Sequence, residues 1–184
     1  MTKTKATTTK ARVATCWLDG CSGCHMSLLD IDERIILLEG KIDIVYGPLV
    51  DAKQFPENVD VAIVEGSVSS EEDLHKIKLI RKNSKFLVAL GDCAITGNVP
   101  AMRTVFPLSD VMYRVYDENA TINKQLPTKD VPKLLERVMP LHEVVHVDCF
   151  LPGCPPSAEF IFTVISELLE GRVPDLSKTA RFGA

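Results

Sequence analysis

The sequence predicts an α/β protein built on an open, mostly parallel sheet, and three observations carry that expectation. Short β-branched or apolar runs alternate with helical patterns along almost the whole chain. Two of the runs, at 59–65 and 86–90, are apolar nearly without interruption, as strands buried on both faces are. Turns containing Gly or Pro follow three of the runs.

The first strand is expected at 12–18 (Val13, Ala14, Thr15, Cys16, Trp17), followed by a Gly-containing turn that carries Cys21 and Cys24. A helix is predicted at 25–39, because Leu28, Ile31, Ile35 and Leu38 recur at spacings of three and four while Asp30, Asp32, Glu33 and Arg34 lie largely opposite, and Gly40 is a natural stop. Strands follow at 41–47 and 59–65. Ser69 with Glu72 reads as a capping box opening a helix that runs to about Lys82.

A fourth strand at 86–90 ends in Gly91-Asp92-Cys93-Ala94, and a short helix is expected at 100–106 on a Pro start. Residues 109–130 have no clear period and read as an excursion, before a helix at 131–139. A fifth strand at 144–150 leads into Leu151-Pro152-Gly153-Cys154-Pro155-Pro156. Ser157 then opens a helix through Phe160, Ile161, Val164, Ile165 and Leu168 to Gly171. With right-handed crossovers the simplest topology is the flavodoxin-like strand order 2-1-3-4-5, with helices on both faces. The expected organisation is a disordered Thr/Lys-rich tail at 1–11 and a single domain at 12–184.

With 184 residues the chain can bury a core without disulfides. The net charge of -4 is spread along the sequence, so it carries no footprint of a nucleic-acid binder. No apolar run approaches the roughly 20 residues that span a bilayer, and the first residues are not of signal-peptide type. A cytoplasmic chain with neither nucleic-acid nor membrane partners is therefore expected. In that compartment six cysteines point to metal binding or catalysis rather than to a disulfide framework.

In the expected architecture ligands bind outside the carboxyl ends of the strands, at the point where strand order reverses. Cys21 and Cys24 follow strand 1, Cys93 follows strand 4 and Cys154 follows strand 5, so four thiols are expected on loops at one edge of the sheet. Cys16 and Cys149 each precede a candidate ligand by five residues inside a strand, roughly 16 Å of extended chain, and are expected to be buried thiols. Four thiolates can hold zinc or an iron-sulfur cluster. One Cys-x-x-Cys pair with two lone cysteines from distant loops suits a cube-shaped cluster better than paired zinc knuckles, and Gly20, Gly23, Gly91, Gly97 and Gly153 would let backbone approach a bulky anionic centre. A thioredoxin-like dithiol, Cys21-Ser-Gly-Cys24 at the positive end of a helix with a lowered thiol pKa, is a third reading; it leaves Cys93 and Cys154 unexplained.

These residues resemble a known family. Trp17-Leu18 leading into Cys21-Ser-Gly-Cys24 and Ser27-Leu28-Leu29, Val64-Glu65-Gly66-Ser67, Ala89-Leu90-Gly91-Asp92-Cys93-Ala94 with Gly97 and Pro100-Ala101, and Pro152-Gly153-Cys154-Pro155-Pro156 are similar in order and context to the small, electron-transferring subunit of nickel-iron hydrogenases. The short form, with Leu29-Asp30-Ile31-Asp32-Glu33-Arg34 and Val68-Ser69-Ser70-Glu71-Glu72, looks most like the small subunit of cytoplasmic NAD-reducing hydrogenases.

The resemblance implies one proximal 4Fe-4S cluster held by Cys21, Cys24, Cys93 and Cys154. It implies a hydrogenase large subunit that splits H2 at a nickel-iron centre, and flavin/iron-sulfur diaphorase subunits in which FMN serves to reduce NAD. The chain is then not catalytic alone, since nickel sites of this family use two Cys-x-x-Cys pairs and this chain has one.

Glu65, expected at the carboxyl end of strand 3 beside the cluster, is a candidate proton relay, against the alternative of a structural ion pair. His25 reads as a helix-start or interface residue rather than a ligand, and Asp92 is ambiguous. The rivals are a cluster-bearing subunit of a complex I-like or energy-converting hydrogenase complex, whose complex I-like relatives use adjacent cysteines where this chain separates them, and a thiol-disulfide oxidoreductase. A flavodoxin-like carrier would cradle FMN in the loop after strand 1; that loop here carries cysteines, so FMN in this chain is a rival reading and is not predicted.

Overall fold

The computed structural model describes residues 10–176. In chain order the elements are β1 (Ala11–Trp17), α1 (Gly23–Leu29), α2 (Ile35–Glu39), β2 (Ile42–Tyr46), β3 (Val59–Glu65), β4 (Val68–Ser70), α3 (Glu71–Asn83), β5 (Ser84–Leu90), α4 (Asp92–Thr96), α5 (Asn98–Ala101), α6 (Leu108–Tyr113), β6 (Leu134–Met139), β7 (Cys149–Leu151) and α7 (Ala158–Leu169). The main sheet has the order β2-β1-β3-β5-β7 and is parallel throughout. This is the predicted α/β fold and the predicted order of the five main strands.

Strand residues alternate between two cores, as a pleated sheet covered on both faces requires. Ala14, Cys16, Ala62, Val64, Leu87 and Ala89 face Ile77 and Ile80 of α3. Val13, Ile63, Val88, Leu90 and Leu151 face Ile161, Val164 and Ile165 of α7 together with Ile31 and Leu38. Register then decides where the loops emerge. Trp17 pairs with Glu65, Glu65 with Leu90 and Leu90 with Leu151, so these four residues form one row across the sheet. The chain leaves that row three or four residues before Cys21, Cys93 and Cys154.

Several expectations are corrected. The helix at 25–39 is two helices: α1 ends at Leu29, a 3-10 turn covers Asp32–Arg34, and Asp32 takes a left-handed φ of 54°. The apolar spacing was real, since Ile31 and Leu38 are buried, but Asp32 tolerates the left-handed conformation and lets the chain break between them. The helix at 131–139 is instead strand β6, antiparallel to β4 in a second small sheet. Its Leu, Glu, Arg and Met residues favour helix locally, but the edge of β4 takes up its backbone groups, and Arg103 Nη2 clamps the pair by donating to Ser69 O at 3.1 Å and Leu135 O at 2.9 Å.

The excursion contains α6 and a π-helical turn at Arg114–Glu118. The strand expected at 144–150 shrinks to β7, because Val144 and Val145 donate their N–H groups to Leu141 O in a turn. The short helix expected at 100–106 begins two residues earlier, at Asn98, and gives way to a 3-10 turn at Met102–Val105. The capping box is one residue later than predicted, with Ser70 Oγ accepting from Asp73 N at 3.1 Å and Asp73 Oδ2 from Ser70 N at 3.0 Å. The tail expected at 1–11 lies outside the described residues up to residue 9, and Ala11 already belongs to β1; the far end of the 12–184 domain lies outside them from residue 177. Among the described residues no helix is long and apolar enough to cross a membrane.

Candidate metal centre

Each cysteine loop is pinned before it reaches its thiol. After β1, Leu18 N donates to Glu65 O at 2.9 Å, and Asp19 and Ser67 exchange backbone hydrogen bonds in an isolated bridge, so the loop carrying Cys21 is stapled to the end of β3. Gly66 permits this approach at φ +86°, where a Cβ would stand 2.8 Å from the Leu18 carbonyl carbon. Ser27 Oγ in α1 donates to Pro156 O at 2.5 Å, which ties the loop of Cys24 to the loop of Cys154.

Asp92 resolves as the clamp between β5 and β7. Gly91 N donates to Leu151 O at 2.7 Å, Asp92 N donates to Gly153 O at 2.9 Å, and Gly153 N donates to Asp92 Oδ1 at 2.8 Å. That buried carboxylate holds the loops of Cys93 and Cys154 at a fixed offset. A Cβ on Gly91 would stand 2.2 Å from Cys24 Sγ, so only glycine lets the β5 loop pass against the thiol of the first loop.

The four predicted thiols therefore converge. Cys21 and Cys154 are exposed, Cys24 and Cys93 half-buried; Cys24 feels all three of the others, and Cys93 feels Cys154 and Cys21. Burial pushes the Cys24 thiol well above its ordinary value, and the Glu65 carboxylate and the three other thiols push it the same way. Burial, then Cys154 and Cys21, raise Cys93 against the pull of hydrogen bonds from Asn98 and the Val99 N–H. Among the described residues no three His, Cys, Asp or Glu side chains are gathered tightly enough to hold a single ion. Cys24 stands within electrostatic reach of the other three thiols.

Cys16 and Cys149 are buried inside β1 and β7 as expected, on opposite faces of the sheet. Burial raises both, Cys149 to about 11.

Glu65 lies at the carboxyl end of β3 and is 2% exposed. Its Oε2 accepts the His25 backbone N–H at 2.7 Å and stands 3.1 Å from His25 Nδ1. That distance suits an ion pair, yet among the described residues neither ring nitrogen of the buried imidazole makes a hydrogen bond, and its ring packs edge-on against Trp17 at 5.5 Å. His25 is thus a buried neighbour of Glu65, a role that its place beside Cys24 did not reveal. Asn98 is a further site residue that sequence reasoning missed: its Nδ2 donates to Cys154 Sγ at 3.4 Å. The only signal for it was an Asn after Gly97 in the loop that follows Cys93.

Known proteins resemble the chain over most of its length. The delta subunit of the NAD-reducing hydrogenase HoxS of Cupriavidus necator is 42% identical over 172 residues, covering 91% of this chain and 82% of the relative. A subunit of the F420-non-reducing hydrogenase vhu of Methanocaldococcus jannaschii is 38% identical over 171 residues, and there the chain spans 59% of the relative's length. A chain in the crystal structure of an NAD+-reducing nickel-iron hydrogenase in the H2-reduced state superposes with a TM-score of 0.90 at 39% identity, covering 95% of this chain and 99% of that one. A nickel-iron-selenium hydrogenase of Dm. baculatum, at 19% identity and a TM-score of 0.60, shares the fold. A family profile described as the NADH ubiquinone oxidoreductase 20 Kd subunit matches residues 21–168, from the first of the four thiols to the end of the last helix, and the chain belongs to that family.

Proposed function

We propose that this chain is the electron-transferring small subunit of a cytoplasmic NAD-reducing nickel-iron hydrogenase, holding one 4Fe-4S cluster on Cys21, Cys24, Cys93 and Cys154. The observation that carries the reading is the convergence of four thiols from three loops pinned to one sheet edge. The similarity to the HoxS delta subunit, and to the chain of the H2-reduced enzyme over nearly its full length, supports it.

The residues present fit such a group. Thiols with raised pKa values give up their protons to metal, so loading releases protons and is opposed by acid. A cube-shaped cluster takes four thiolates, the number that these three loops supply. When bound, the cluster supplies single-electron transfer between the large subunit's nickel-iron centre and a flavin/iron-sulfur diaphorase module.

The chain's own contribution is position and surroundings. Cys21 and Cys154 put one side of the site at the surface, where a partner can come within electron-transfer reach. Trp17, Met26, Val99 and Met102, close to the thiols in sequence, are exposed and offer apolar area suited to a protein partner, here the large subunit. Glu65, buried behind the thiols, serves as a proton relay leading away from the partner's metal site.

The test is anaerobic isolation of the assembled complex, with iron, sulfide and nickel measured on each separated chain and H2-dependent NAD+ reduction assayed. Iron and sulfide should travel with this chain, and nickel with a larger one. A preparation that reduces NAD+ with H2 while this chain carries no iron would overturn the reading.

A further inference from the structure

Cys154 is exposed and is followed by Pro155 and Pro156, which are unable to offer it an N–H. Its donor comes from elsewhere. Asn98 opens α5 directly after Gly97, the left-handed stop of α4, and itself takes a φ of 36°, a conformation that asparagine tolerates better than most residues. That backbone turn brings the side-chain amide across to Cys154, with Nδ2 at 3.4 Å from Sγ, while the next residue, Val99, gives its backbone N–H to Cys93. The Asn98 amide thus serves Cys154 and also reaches Cys93, the thiol that Val99 supports from the backbone.

Resting on the cluster reading above, we propose that Asn98 is the residue that tunes the reduction potential of the centre, by donating a side-chain N–H to the Cys154 sulfur. A donor aimed at a ligating sulfur stabilises the more electron-rich state more than the oxidised one, because the sulfur carries more negative charge after reduction. The donor therefore raises the potential and makes the centre a better electron acceptor. Asn98 is itself half-buried, while the bond lies at the exposed edge of the site. Asn98 acts on the cluster through Cys154 and is a positioning residue, outside the ligand set.

The experiment is a redox titration of the anaerobically isolated complex, following the reduced cluster by electron paramagnetic resonance, for the wild type, Asn98→Gly and Asn98→Asp. Glycine accepts the positive φ, so Asn98→Gly removes the donor without straining the loop. Iron and sulfide content should be unchanged in both variants. The midpoint of Asn98→Gly should fall, with the reduced-to-oxidised ratio at the wild-type midpoint dropping several-fold, up to the tenfold that corresponds to about 59 mV for one electron. Asn98→Asp replaces the donor with a carboxylate and should fall further. A full cluster with an unmoved or raised midpoint in Asn98→Gly would overturn the tuning role while leaving the cluster reading intact. Loss of iron from both variants would make Asn98 a structural residue and also overturn it. A wild-type complex without the cluster would remove the cluster reading first, and the tuning role with it.

Discussion

A methyl group at position 91 would stand 2.2 Å from the Cys24 sulfur, and the backbone there already has φ +82°. Gly91→Ala is therefore predicted to cost about 1–3 kcal/mol in backbone strain alone, because φ +82° with ψ 163° is a region that essentially only glycine adopts, and further to displace either the thiol or the loop that carries Cys93. Iron content of the isolated complex should fall with it, together with the thermal midpoint; wild-type iron in this variant would show that the loops have more slack than the geometry allows. Glu65→Gln is a different experiment, because glutamine keeps the shape and the acceptor for the His25 N–H but cannot shuttle a proton in the same way. Turnover should slow by something on the order of a hundredfold, the low end for a positioned proton-transfer group, while the spectrum of the centre stays as in the wild type. Unaltered turnover would return Glu65 to a structural role. At this scale the positions of the four thiols and of Glu65 at strand ends were legible, because the strand-like runs that lead into them are plain in the sequence. Asn98 and His25 were not, since their roles depend on a loop turn and on burial that no local pattern encodes.

Among the elements, β3 was read to the residue because it is buried on both faces and its composition follows from that alone. The segment at 131–139 was misread for the complementary reason: β6 is half-exposed, its residues favour helix, and only the free edge of β4 decides otherwise. The split between α1 and α2 was hidden because the buried positions keep helical spacing across the break. The α3 start was found by its chemistry but placed one residue early, since Ser69, Ser70, Glu72 and Asp73 offer two registers and the Ser70/Asp73 pair is the one made. Ser70→Ala should lower stability by about 1 kcal/mol, as loss of a helix cap typically does, read as a shift of the denaturant midpoint. Iron content should not change, because α3 packs the sheet face away from the α7 side and touches none of the four thiols. A loss of iron would mean that β4 and α3 bear on the site more directly.

For the whole molecule, strand order and the sheet edge that carries the site followed from alternation and the switch-point rule, while the second sheet did not, because it is assembled from segments more than sixty residues apart. The opposite end of the sheet carries the acid sensitivity. Burial alone would push the Asp148 carboxyl up, but the Leu87 N–H at 2.7 Å and the Arg81 guanidinium at 2.5 Å against it hold it below the ordinary carboxylate value. A carboxylate depressed in the fold contributes stability above its unfolded pKa of about 3.9 and loses it as pH falls through the lower folded value. The denaturant midpoint of the wild type should thus decline as pH falls below about 4, and Asp148→Asn should be less stable at neutral pH with a flatter acid limb; an unchanged slope would assign the acid sensitivity elsewhere.

The central claim is that four thiols from three loops hold one cluster, and the most direct measurement is iron and acid-labile sulfide per chain in anaerobically isolated wild type, Cys93→Ser, Cys154→Ser and Cys16→Ser. The account predicts about four of each in the wild type, the same in Cys16→Ser, whose thiol is 2% exposed inside β1, and loss from both Cys93→Ser and Cys154→Ser. Full iron retained in those two variants, or zinc in place of iron in the wild type, would contradict it.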